Sequence, residues 1–229
     1  MTIANLVEEI QERDFRAIFP TGEFNSIEPP LDNDKHRRQI DLLIRLLEYY
    51  WRDRQDFYVS GNLTIFYSAN QKKSTEFRGP DFFVVLNTEK RDRRSWVVWQ
   101  EGGKYPNLII EFLSESTAEL DRGEKKQIYQ DVFRTPEYFW FDMETMEFQG
   151  FRLASGKYHP IAPNQRGWLW SEELQLYLGI HNEKLRFFSP NLELIPLPEE
   201  ELEKANQEIN VLKNYLRSLG VDPEAILKQ

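Results

Sequence analysis

The chain has 229 residues, a formal net charge of −9 and 40% hydrophobic residues, among them 16 Phe, 10 Tyr and 6 Trp. This suits one sizeable domain with an appendage, or two small domains, and argues against disorder and against indiscriminate nucleic-acid binding. The absence of cysteine excludes disulfides and thiolate metal sites, and three scattered histidines (His36, His159, His181) disfavour a zinc cluster, so a metal would need oxygen-rich ligation of the Mg2+ or Mn2+ kind.

The opening segment, residues 1–31, shows little periodicity and runs into the Pro-rich "SIEPPLDND". Its first residues, "MTIANLVEEIQERD", carry acids where a signal peptide needs bases, and no apolar stretch approaches the roughly 18 residues of a membrane span. The expectation is a soluble cytoplasmic protein without membrane association. Asp32, Asn33 or Asp34 can cap a helix over "DKHRRQIDLLIRLLEYYWRD", where Ile40, Leu43, Leu47 and Tyr50 recur at helical spacing and Ile44 broadens the stripe. Strands are expected in "FYVSGNLTIFYS", with a turn at Ser60-Gly61-Asn62, and in "PDFFVVL", "SWVVWQ" and "NLIIEFL". A helix over "AELDRGEKKQIYQDVFRT" stops before Pro136, and the strand "EYFWFDM" follows. Beyond Glu147 a meander runs through "EFQGFRLA", "KYHPIA" and "GWLWSEELQLYLGI". Strands on both sides of a central helix give an α/β (α+β) fold.

The tail differs in character. Leu202, Ala205, Ile209, Leu212, Leu216 and Leu219 recur at alternating steps of three and four, an a/d register of roughly two and a half heptads that Gly220 ends. The register suits a coiled coil and equally suits a helix packed back onto its own domain. In either case it serves association or packing rather than chemistry.

Positive residues cluster at Lys35, Arg37 and Arg38, at Lys72, Lys73 and Arg78, and at Lys90, Arg91, Arg93 and Arg94. Each cluster alone is ordinary solvated surface; they bear on binding only if folding brings them to one rim.

Glu111 is the residue that asks for an explanation. It stands inside the apolar run of Leu108, Ile109, Ile110, Phe112 and Leu113, where a carboxylate is costly unless paired or bound to metal. Strand alternation places Ile109, Glu111 and Leu113 on one face and Leu108, Ile110 and Phe112 on the other, as in a central strand buried on both sides. Asp81 follows Gly79-Pro80 and opens the strand "DFFVVL"; a turn aspartate is an equally good account of it. Lys125 aligns with Ile128, Tyr129 and Val132 on the inward stripe of its helix. An i,i+4 pair with Asp121 explains a partner but not that inward placement. Two carboxylates and a lysine converging at one end of a sheet can hold a divalent cation, activate water and stabilise charge on a phosphoryl group.

At these residues the sequence resembles a known family. "GPDFFVV", "LIIEFLSEST" and "GEKKQIYQDVFRTPEYFWFD", in that order and spacing, resemble the Uma-type putative restriction endonuclease family of the PD-(D/E)XK nuclease-like superfamily. The resemblance spans roughly residues 31–180 and takes in "IAPNQRGWLWSEELQLYLG". It implies a restriction-endonuclease-like central mixed β-sheet flanked by helices over 32–190, with 191–229 as linker and heptad-patterned helix. It further implies that Asp81 and Glu111 hold Mg2+ or Mn2+ and that the substrate is DNA. The superfamily's usual lysine, two residues after the acid, is replaced here by Leu113, a departure characteristic of the family, and the resemblance implies that Lys125 of the following helix takes that role. An additional acid from the first helix often joins such sites: Asp34, Asp41 and Glu48 are candidates, and His36 could contribute. Ser114 and Ser116 suit helix capping better than nucleophilic attack. Tyr129 and Tyr138 also fall at positions resembling the family's, although core aromatics with satisfied hydroxyls are the simpler reading. The expected partner besides DNA is a second copy, through the C-terminal helix. The competing class is a non-catalytic binding or assembly protein that keeps the nuclease fold and oligomerises by that helix.

Overall fold

Asn33 opens the first helix. Its backbone is extended (φ −157°) and its side chain accepts a hydrogen bond from the His36 amide at 2.9 Å, so the helix begins here. The computed structural model describes residues 22–28, 33–68, 77–114 and 118–222. Asp32, Lys72, Lys73, Ser116 and most of the 1–31 segment lie outside the described residues. Helix α1 (Asp34–Tyr50) buries His36, Gln39, Ile40, Leu42, Leu43, Leu46 and Leu47. The expected stripe is present but ends early. Tyr50 is exposed, and Trp51, at the point where the chain leaves the helix, is buried instead.

The main sheet has six strands in the order β1-β4-β6-β7-β8-β9: β1 (Phe57–Ser60), β4 (Phe82–Leu86), β6 (Leu108–Leu113), β7 (Glu137–Asp142), β8 (Phe148–Ala154) and β9 (Lys157–Pro160). Only β6 and β7 are parallel, because the helical crossover α2 (residues 118–133) joins them; the other neighbours pair antiparallel. The sheet is therefore mixed. Every residue of β6 is buried, as an apolar run on both faces predicts.

The two faces carry different layers. Val84, Leu108, Ile110, Phe112, Phe139 and Phe141 pack against α1 and a three-stranded antiparallel sheet of β10 (Leu169–Ser171), β11 (Leu176–His181) and β12 (Lys184–Phe188). Val85, Ile109, Leu113, Tyr138 and Trp140 pack against α2 and a small sheet of β2 (Ile65–Phe66), β3 (Phe77–Arg78) and β5 (Trp96–Val97). Glu111 points to this second face.

Two strands differ from expectation. "SWVVWQ" pairs only at Trp96 and Val97, because the chain then turns through Gly102 and Gly103, both at positive φ. β12 carries no clean apolar signal, since Lys184 and Arg186 alternate with Leu185 and Phe187. Its readable mark is the two-residue turn Asn182-Glu183, with φ of 49° and 60°, which suits a hairpin. Helix α3 (Pro198–Ser218) closes the described chain. Gly220, at φ +79°, ends it through bonds from the Gly220 amide to Arg217 O and from the Val221 amide to Leu216 O.

Candidate active site

Strand register brings the first two residues together. β4 and β6 pair with Phe82 opposite Ile110, so Asp81 lies one step further on, facing Glu111. The Asp81 amide donates to Glu111 Oε2 at 3.2 Å, and the Phe112 amide donates to Asp81 Oδ2 at 2.8 Å. The turn between β1 and β2 fixes this corner from outside, since the Asn62 amide bonds the carbonyls of Pro80 and Asp81 at 3.1 and 3.2 Å. Gly61 lies so close that an added Cβ would stand 2.4 Å from Asp81 O and 2.4 Å from Ile40 Cγ2.

The third residue comes from α2, whose winding is unusual. Turns of α-helix at Ala118–Leu120 and Lys126–Ile128 alternate with wider π-turns at Asp121–Lys125 and Tyr129–Phe133. The widened repeat lines up Asp121, Lys125, Tyr129 and Phe133 on the inner face, each four residues from the last. Val132, expected inside on regular spacing, is 47% exposed, and Phe133 is buried in its place. Lys125 Nζ sits 2.7 Å from Asp121 Oδ1 and 3.3 Å from Glu111 Oε2. The Tyr129 hydroxyl donates to Glu111 Oε1 at 2.7 Å, and the Tyr138 hydroxyl donates to Asp121 O at 2.8 Å. Both tyrosines are thus core aromatics with satisfied hydroxyls, and the partner of Tyr129 is Glu111 itself.

The first helix contributes His36. Its Nε2 lies 3.1 Å from Asp81 Oδ1, and both side chains are largely buried. The acids of α1 point elsewhere: Asp34 and Asp41 pair with exposed arginines, and Glu48 is exposed.

Three carboxylates, Asp81, Glu111 and Asp121, thus surround one ammonium. Burial pushes the Glu111 carboxyl well above the usual carboxylate range. Lys125 opposes that rise, and Asp81 and Asp121 add to it. Burial alone would lower Lys125, but Glu111, Asp121 and Asp81 outweigh it and raise the ammonium above its ordinary value, so Lys125 stays charged. Tyr129 is raised by burial and by Glu111, which keeps its hydroxyl a donor. The side chains of Asp81 and Lys125 each keep 14% exposure, which opens the cluster to solvent at their end.

The donor chemistry fits a hard divalent cation. Excess negative charge from carboxylate oxygens suits Mg2+ or Mn2+. Among the described residues no three His, Asp or Glu side chains are grouped as a ligand shell. Asp81 and Glu111 would be the protein's share, with waters and a phosphate oxygen completing the coordination, as is common for Mg2+.

Sequence comparison gives the chain's family. The profile of a family described as "Uma2: Putative restriction endonuclease" matches residues 5–186. The chain belongs to the Uma2 family. No curated protein matches the sequence. A similar solved structure is that of a putative nuclease belonging to DUF820 from Anabaena variabilis ATCC 29413. It has 11% identity and a TM-score of 0.47, and the match covers 64% of this chain and 76% of that one.

Among the described residues of this Uma2 chain the basic clusters do not form one rim. Lys35, Arg37 and Arg38 lie beside His36, and Arg78 lies just before Asp81, paired with Glu124 at 2.7 Å. Lys90 to Arg94 follow the far end of β4, where Arg91 and Arg93 bind Glu101. Sequence reasoning underrated Asp121, seen only as a partner of Lys125. It also missed Gly61, taken for ordinary turn chemistry. For Asp121, an acid four residues before an inward lysine was the available signal; for Gly61 there was none.

Proposed function

We propose that the protein is a divalent-metal-dependent endonuclease that hydrolyses phosphodiester bonds in DNA, with Asp81 and Glu111 as metal ligands and Lys125 as the catalytic cation. The single observation that carries this reading is the pairing of Asp81 with the fully buried Glu111, with Lys125 Nζ 3.3 Å from Glu111. A bound Mg2+ or Mn2+ would supply Lewis acidity and a water of lowered pKa. Lys125, held by Asp121, would orient the attacking water or meet the negative charge that develops on the phosphate. Tyr129 holds Glu111 in one rotamer by donating to Oε1, which leaves Oε2 facing Lys125 and Asp81. His36 holds Asp81 from the opposite side. Family membership supports nuclease chemistry, and the donor set supports the cation.

Plasmid and oligonucleotide cleavage in Mg2+ and Mn2+ tests the reading. Wild type should cut, Asp81→Ala and Glu111→Ala should lose cutting, and Lys125→Ala should lose about 10²–10³-fold in rate. Equal behaviour of wild type and both alanine variants would sink it. A second reading, a non-catalytic assembly protein, is favoured by the exposed apolar residues of α3. Calorimetric titration of Mn2+ into wild type and Glu111→Gln separates the two: heat that depends on Glu111 supports the nuclease, and silence supports the assembly protein.

A further inference from the structure

The C-terminal helix is gripped at its base and exposed along most of its length, with Lys213 and Leu216 partly covered. Glu199 takes a two-pronged bond from Arg45 at 2.7 and 2.8 Å, Glu201 accepts from the Tyr49 hydroxyl at 2.5 Å, and Glu200 binds Arg186 at 2.7 and 2.9 Å. Leu197, just before the helix, is buried. Beyond this first turn no helix residue is buried, and Leu202 is 63% exposed, Ile209 47%, Leu212 61% and Leu219 60%. Of the two readings that the heptad register allows, packing back onto the chain's own domain is not seen for α3 beyond its first turn among the described residues.

We propose that α3 is one strand of a parallel, two-stranded coiled coil formed with a second copy of this chain. The apolar positions run Leu202 (a), Ala205 (d), Ile209 (a), Leu212 (d), Leu216 (a) and Leu219 (d). Ile at an a position with Leu at d positions favours two parallel strands. Charge complementarity names the occupant. In this register Glu208 falls at g and Lys213 at the following e, the two positions that meet across a parallel pair. In a parallel pair these two flanks meet across the seam, Glu208 of one copy against Lys213 of the other, so a second copy of this chain supplies the complementary charge at both sites. The grip on the first turn sets the direction in which the coil leaves the domain. The pair then carries two copies of the Asp81–Glu111–Lys125 cluster in one particle.

Sedimentation velocity of the full chain at about 50 μM reads the assembly directly, independent of any nuclease activity. Wild type should sediment with twice the mass of one chain, and Leu212→Glu with the mass of one. Leu212 is exposed in the single chain, so this change leaves the domain folded, which circular dichroism checks. Glu208→Lys should weaken the dimer at least about tenfold. Adding Lys213→Glu to it should restore the dimer, because both cross-strand pairs become attractive again. Orientation is read by Leu216→Cys, in a protein that has no other cysteine. In a parallel pair the two thiols face and oxidise to a covalent dimer. In an antiparallel pair in the same register they stand roughly 16 Å apart, beyond disulfide reach. A monomeric wild type, a dimer that survives Leu212→Glu, or a trimer or tetramer overturns the two-stranded coil. Failure of the charge swap to restore the dimer, or failure of Leu216→Cys to cross-link, overturns the parallel pairing.

Discussion

Glu111 is held where its own charge is opposed by burial, and this sets a pH dependence with a definite sign. A carboxyl whose pKa in the folded chain lies well above its ordinary 4.5 binds its proton more tightly folded than unfolded. Its contribution is therefore most favourable in acid and declines as pH rises from about 4.5 toward the folded value. Glu111→Gln removes that decline while keeping an oxygen for the Tyr129 hydroxyl, and Lys125 keeps Asp121. In EDTA, the melting temperature of wild type should fall more than that of Glu111→Gln between about pH 5 and 8, with about 2–4 °C per kcal/mol for a chain of this size. Mn2+ should then raise wild type and leave the variant unchanged, because only a group that binds the folded state stabilises it. Parallel melting profiles in EDTA would remove Glu111 as the source. The residue that the proposed function requires is thus the one that stability would discard.

At the scale of the element, α2 decides whether a lysine can reach a strand that lacks one. Its π-turns put Asp121, Lys125, Tyr129 and Phe133 on one line. Lys125→Met leaves Glu111 and Asp121 buried without their cation, which should cost about 3–5 kcal/mol in urea unfolding. Lys126→Met, which removes only an ammonium packed over the rings of Trp140 and Phe151, should cost about 0.5–1 kcal/mol. Equal losses in the two variants would mean that the ammonium of Lys125 carries no special weight. This is also where the sequence stops being legible. Glu111 and Asp81 could be read because strand alternation is a strict period of two and an acid in an apolar run breaks it. Lys125 could be read as inward because it stood beside Tyr129. The neighbours on its other side were misassigned, Val132 for Phe133, because a π-turn is imposed by packing against β6 and β7 and leaves no mark in local periodicity. His36 was one option among several, since a helix pattern shows which residues face inward but not which of them meets Asp81.

Across the whole molecule, a net charge of −9 and a cluster of three carboxylates around one lysine both repel a phosphate backbone. Among the described residues, the basic ones near the cluster are few and mostly spoken for: Arg37 and Arg38 face Asp34, Arg78 holds Glu124, and Lys35 donates to Met143 O and Glu144. The cluster of Lys90, Arg91, Arg93 and Arg94 lies at the opposite end of β4. Under the proposed function, attraction for DNA would be switched on at the site itself, where a divalent cation would turn excess negative charge into a point of contact for phosphate oxygen. Duplex binding should accordingly depend on the ion rather than on the bulk surface. Measured by fluorescence anisotropy with Ca2+ in place of Mg2+ to suppress cleavage, affinity should exceed that in EDTA by at least about tenfold, or 1.4 kcal/mol. The gain should vanish in Asp81→Ala, whose remaining acids no longer form the pair. Binding in EDTA that equals binding in Ca2+ would place recognition on another surface of the chain and detach it from the Asp81–Glu111 pair.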